Sequence, residues 1–176
     1  MKGYQSTQKI IHWLMALLIM LDLNIAQKFG GDMDTLDRLE SRIDHSSMGL
    51  IIASLFILRL VFRYKYGPPD YPASMPRWQV VSAKFGHYGL YFLMGGLIIT
   101  GLLTARYASD PIFAFNAINL TIDYPDIETY NLLRLFHEIF TNLIIVLIGI
   151  HIFASLYPHF IAKDLTTINM MKFWKS

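Results

Sequence analysis

His137 and His151 stand fourteen residues apart in one apolar run, Leu135 to Tyr157. In an α-helix, fourteen residues advance about 21 Å and return to nearly the same face. Two imidazoles near opposite edges of a roughly 30 Å hydrocarbon layer are costly unless something binds them. Two haems stacked across a bilayer need this arrangement, each taking one imidazole from the run. His12, His45, His87 and His159 are the remaining histidines. Cysteine is absent. That excludes disulfides, thiolate-held iron–sulfur clusters, thiol–disulfide exchange and covalent haem attachment through Cys-x-x-Cys-His. A redox centre must then be held by His, Met, Tyr or carboxylate.

The elements that position these residues follow from hydropathy. The 176 residues suit one domain, and an apolar share of 54% suits a polytopic membrane protein. Four apolar runs appear: Ile10–Ala26, His45–Phe62, Gly86–Ala105 and Leu135–Tyr157. Each is about long enough to span, and transmembrane helices are expected at about 8–27, 45–64, 84–105 and 134–157. Gly30-Gly31-Asp32, Gly67-Pro68-Pro69 with Pro72 and Pro76, Asp110-Pro111 and Tyr124-Pro125-Asp126 break the chain between them. The fold class is an all-α membrane protein, a four-helix up-down bundle enclosing two haems. A short interfacial C-terminal helix is expected between Lys163 and Trp174, where Leu165, Ile168, Met171 and Trp174 recur at helical spacing. The first run lacks a small-x-small cleavage site and carries His12-Trp13, so it is expected to be retained. Ile112, Phe113, Phe115, Ile118 and Leu120, in the long connection 107–134, are expected on the membrane surface.

Loop charge sets the orientation. Lys2, Lys9, Arg59, Arg63, Lys65, Arg77, Lys84, Lys163, Lys172 and Lys175 fall on the side of the termini. Lys28, Arg38, Arg42, Arg106 and Arg134 fall on the other. Ten against five predicts cytoplasmic termini in a multi-pass protein of a bacterial inner membrane. The net charge of +2 hides this asymmetry and gives nucleic-acid binding no support.

Topology then sorts the histidines by depth. His45 and His137 share the periplasmic layer, and no other histidine is there to pair with either. His151 shares the cytoplasmic layer with His12 and His87, and either could be its partner. Zinc fits poorly, because a structural site wants four clustered ligands. Arg59, fourteen residues after His45, and Arg134, one turn before His137, are candidate contacts for haem propionates.

The chain resembles the bacterial cytochrome b561 family, whose relatives include the b-type subunits of membrane hydrogenases and formate dehydrogenases. The matching residues are His12-Trp13, His45-x3-Gly49 and, most specifically, His137-x13-His151. The resemblance spans nearly the whole chain. It implies two haem b groups, with His12 and His151 ligating the cytoplasmic iron and His45 and His137 the periplasmic iron. It also implies that His87 serves a quinone, and Arg77, Trp78, Ser82 and His159 are its candidate neighbours. Eukaryotic cytochromes b561 have six helices, so their ascorbate chemistry does not transfer.

The expected activity is oxidoreductase: electrons pass between a small periplasmic donor and ubiquinone. Some bacterial members of the family are described as taking electrons from superoxide, and that donor is preferred here. The alternative is a cytochrome b anchor passing electrons to quinone from a partner dehydrogenase or hydrogenase subunit. A haem-free transporter or scaffold would leave the histidine layers unexplained. Membrane lipid is a partner in every case, and no catalytic residue beyond the haem ligands is assigned.

Overall fold

The computed structural model describes residues 3–28, 32, 34–71, 73, 75–122 and 124–160, without the side chains of Gln27 and 157–160. The expected C-terminal interfacial helix, the His159 side chain and Pro72 lie outside the described residues. Four long helices run in chain order: α1 Ser6–Gln27, α2 Thr35–Tyr66, α3 Arg77–Arg106 and α4 Ile127–Phe160. All four are long and apolar enough to cross a membrane. They alternate in direction, as expected for an up-down bundle. One end, here the terminal face, gathers the start of α1, the end of α2, the start of α3 and the end of α4. The other is the hairpin face, named for a two-stranded sheet, β1 Phe113–Ala114 paired antiparallel with β2 Ile118–Asn119.

Helices α2, α3 and α4 each begin seven or more residues before the span that hydropathy marks. Asp34 caps α2, accepting the Asp37 N–H at 2.8 Å. The polar turns that follow, Leu36 to Asp44, are helical because Glu, Arg and Leu favour helix on either side of the lipid boundary. Hydropathy reports where lipid is, whereas caps and propensity decide where a helix starts. Gly67, at φ 70°, ends α2 in a conformation that penalises a Cβ.

The helices form two pairs. α1 packs along α2 and α3 along α4, while α2 meets α3 at few positions. Between the pairs lies one apolar layer: Ile11 and Met15 from α1, Ile52 and Phe56 from α2, Leu93 and Met94 from α3, Ile144 from α4. Ile144 is the most deeply buried large side chain, 1% exposed, and stands midway between His137 and His151. Outward faces are apolar as well, with Ile57, Phe92 and Phe153 exposed where lipid would cover them.

The 107–126 connection, expected to lie on the membrane surface, also clamps α2. The Ser46 hydroxyl donates to the Phe113 carbonyl at 2.6 Å, and the Phe115 N–H donates to Ser47 Oγ at 2.7 Å. Ala114 is completely buried against α2, while Phe115 and Ile118 stay about half exposed. The hairpin turn places Phe115 and Asn116 at positive φ, the local twist that suits tight hairpins. This clamp holds the turn of α2 that immediately follows His45.

Candidate functional site: two histidine layers

At the hairpin face, the His45 ring of α2 faces the His137 ring of α4, with centroids 6.2 Å apart. Each ring is oriented by a bond at Nδ1. His45 Nδ1 lies 2.8 Å from Asp22 Oδ1 of α1. His137 Nδ1 lies 3.1 Å from the Thr100 hydroxyl of α3. That hydroxyl gives its own proton to the Gly96 carbonyl at 2.7 Å, so it accepts from the imidazole. Both rings therefore carry their proton on Nδ1, which leaves coordination to Nε2. Gly101 makes room for the His137 ring: a Cβ there would stand 3.0 Å from its Cε1.

At the terminal face three histidines meet. His151 of α4 has the His12 ring of α1 at 6.3 Å and the His87 ring of α3 at 5.6 Å, centroid to centroid. His12 also lies against Trp13. A small cavity beside His87 is lined by Tyr4, Gln8, Arg59, Arg63 and Tyr91 among others. Gln8 is buried and reaches the Phe62 and Gly67 carbonyls, tying the start of α1 to the end of α2. Burial holds the Tyr4 phenol above its usual pKa, against the pull of Arg63 and Arg59, so it stays a neutral donor. Arg59 also lies over the Tyr91 ring at 5.9 Å.

The separations test whether haem fits. A metal–imidazole bond is about 2 Å and a ring nitrogen lies about 1.1 Å from its ring centre, so two imidazoles on opposite sides of one metal hold their centres about 6.2 Å apart. The His45–His137 and His12–His151 separations, 6.2 and 6.3 Å, meet that value, and the His87–His151 separation of 5.6 Å is shorter. Both fitting pairs join α4 to the opposite helix pair, across the thinly packed divide. His87 and His151 instead belong to one tightly packed pair, where a Cβ at Gly89 would already stand 3.0 Å from Leu147 Cδ2. That packing leaves less space beside His87 and His151 than the looser contact between the helix pairs does. Among the described residues no three His, Cys, Asp or Glu side chains gather to hold a bare metal ion.

The structure brings together His45 with His137, and His12, His87 and Arg59 around His151. Arg134 is exposed, its guanidinium 3.4 Å from the Tyr130 hydroxyl. Arg77 opens α3 ten residues before His87, about 15 Å along the axis, and does not line the cavity at His87. Sequence reasoning passed over Asp22, Thr100, Tyr4 and Arg63. Asp22 carried a signal, being the single acid inside the first apolar run. Thr100 carried none, since a threonine in a span usually bonds its own helix.

A sequence profile described as prokaryotic cytochrome b561 matches residues 3–173. "Cytochrome b561 homolog 1" of Escherichia coli (strain K12) is 27% identical over 173 residues, covering 97% of this chain and 98% of that relative. "Probable superoxide oxidase CybB" of Yersinia pestis is 28% identical over 171 residues, 97% of this chain and 96% of its own. "Cytochrome b561 homolog 2" of Escherichia coli (strain K12) is 27% identical over 128 residues, 72% of this chain and 68% of its own.

Proposed function

The chain belongs to the prokaryotic cytochrome b561 family, and from that premise we propose that it carries electrons across the bacterial inner membrane from superoxide to ubiquinone. Membership makes it a multi-pass membrane electron-transfer protein that binds haem b. The rest is our reading. Its chief support is that histidine pairs at trans-imidazole separation occur at both ends of one bundle, with a surplus histidine at one end only.

Bound haem supplies one-electron chemistry, its iron cycling between two valences. His45 and His137 would hold one haem near the periplasm, and His12 and His151 the other near the cytoplasm. The Ile144 layer between them keeps water out of the bundle centre. Arg59 and Arg63 offer charge to haem propionates at the cytoplasmic end. His87 and Tyr4 can donate hydrogen bonds to a quinone carbonyl, and His87 can pass on a proton. Two superoxide anions each give up one electron and leave as dioxygen; one quinone takes both electrons and two protons and leaves as quinol. A small anionic donor suits a face with no extramembrane domain. Lys28, Arg38, Arg42, Arg106 and Arg134 would have to form a local basic funnel, because the same face carries more acids than bases, among them Asp34, Asp37, Glu40, Asp44 and Glu128, and Arg42 is partly engaged by Asp110 at 3.6 Å. The relative named as a probable superoxide oxidase supports this donor.

The test is spectroscopic first. A dithionite-reduced minus oxidised spectrum of the purified protein should show about two b haems per chain. His45→Ala or His137→Ala should each remove one and leave the other. A colourless protein overturns the reading. With superoxide generated beside ubiquinone, quinol should form faster than with haem-free protein. No acceleration, together with a large soluble subunit copurifying, would replace this reading with the anchor role.

A further inference from the structure

The two histidine layers differ in the charge that meets them. At the hairpin face, Asp22 reaches His45 Nδ1 at 2.8 Å, with its side chain only 16% exposed. At the terminal face no acid lies within the helical segments that meet there: none occurs at 6–21, 55–66, 77–106 or 139–160, and Asp70 stands in the connection beyond them. That face instead presents Arg59 and Arg63 beside His87.

A carboxylate bonded to the Nδ1 of a histidine that would hold the haem through Nε2 draws the Nδ1 proton toward itself. The imidazole becomes a stronger donor through Nε2 and stabilises the more oxidised metal. The Thr100 hydroxyl acts on His137 in the same sense, more weakly, because it is neutral. Guanidinium groups near the other layer favour the state with one more electron. Both influences push the same way.

We propose that Asp22 is a positioning residue that holds the haem between His45 and His137 at a lower reduction potential than the haem between His12 and His151. Electrons then run downhill from the hairpin face to the terminal face. The inference rests on the bis-histidine reading above, and its test separates the two. In that test, spectroelectrochemical titration of the intact protein resolves two potentials. His45→Ala removes the lower one. A variant that keeps both haems refutes the ligand pairing itself; one that loses the higher potential refutes the present proposal.

Asp22→Asn keeps the side-chain shape and removes the charge. It should move the lower potential upward by about tenfold in the reduction equilibrium, about 59 mV for one electron. The higher potential stays in place, and haem content and the low-spin bis-histidine EPR signature are unchanged. A purely structural role for Asp22 would alter occupancy without a selective shift in potential. Asp22→Glu restores the carboxylate and should restore the separation. If Asp22→Asn sheds haem, Asp22→Glu carries the test, and coincident potentials in that variant overturn the proposal. So does an Asp22→Asn protein in which neither potential moves, or both move equally.

Discussion

The two ends of the bundle use the same residue type under different constraints. At the hairpin face, His45 and His137 are a pair and nothing more: each ring is pinned at Nδ1, Gly101 clears space for one, and the Ser46–Ser47 clamp fixes the helix turn beside the other. At the terminal face three histidines share a corner, with a cavity, a neutral phenol and two guanidiniums beside them. A site that only relays single electrons can be made rigid and complete. A site that must also admit a substrate and move protons needs groups in excess of the ligand set, and room next to them. On the proposed reading, the surplus His87 and its cavity suit the proton-coupled reduction of quinone at the terminal face, whereas superoxide gives up its electron at the hairpin face without any proton transfer.

The sharpest way to break that distinction is to remove His12 and His87 separately. Loss of His12 should cost one haem, because its 6.3 Å separation from His151 and its place across the helix-pair divide suit a ligand. Loss of His87 should leave both haems and slow quinone reduction about a hundredfold, the scale of a lost general acid. Haem content by pyridine haemochrome and quinol formation by absorbance read the two outcomes. If His87→Ala loses the haem and His12→Ala keeps it, the roles are exchanged and the packing argument against α3–α4 fails.

A subtler comparison sets two glycines of α3 against each other. A Cβ at Gly101 meets the His137 ring at 3.0 Å, whereas a Cβ at Gly96 meets the Phe140 ring at 2.7 Å. Gly96→Ala is the worse clash, yet it strikes a packing residue. It should lower stability by about 1–3 kcal/mol while both haems remain in the folded protein. Gly101→Ala disturbs a ligand whose geometry must hold to within tenths of an ångström. It should weaken retention of the hairpin-face haem about tenfold with a smaller loss of stability. Thermal melts and haem titration separate the two; equal haem loss from both variants would show that Gly101 is merely a packing position.

The bundle was largely legible in the sequence because lipid imposes one simple pattern, an apolar run of fixed length, and four such runs with Gly and Pro breaks leave little choice. The fourteen-residue interval between His137 and His151 was legible for the same geometrical reason. Where α2 starts was not, because Asp34 and the polar turns after it obey capping and propensity rather than hydropathy. The pairing of His151 stayed open between His12 and His87, since depth is readable from sequence but lateral position around a bundle is not. Arg77 looked near His87 in the chain, yet ten helical residues carry it out of reach, while Arg59 and Arg63 arrive from another helix. Thr100 and Asp22 act through side-chain contacts between helices, which no spacing rule encodes.

The smallest expected effect lies at the start of α4, the helix that carries one histidine of each layer. Asp126 caps it, accepting the Thr129 hydroxyl at 2.6 Å and the Glu128 N–H at 3.1 Å. The Thr129 hydroxyl bond, helped by the backbone bonds from Thr129 and Glu128, holds its carboxyl below the usual value. A carboxyl depressed in the folded state contributes stability that is present above the unfolded value, about 3.9, and is lost as pH falls through the folded value. Asn caps equally well but does not titrate in this range. Thermal melts followed by circular dichroism from about pH 5 to pH 3 should therefore fall slightly more steeply for the native protein than for Asp126→Asn. The effect is small because the group is exposed and well screened. The haem spectra of the two proteins should match throughout, since the cap lies eleven residues before His137 and three turns of helix separate them. A haem change in Asp126→Asn would mean that the hairpin-face layer is less rigid than its bonds to Asp22 and Thr100 imply.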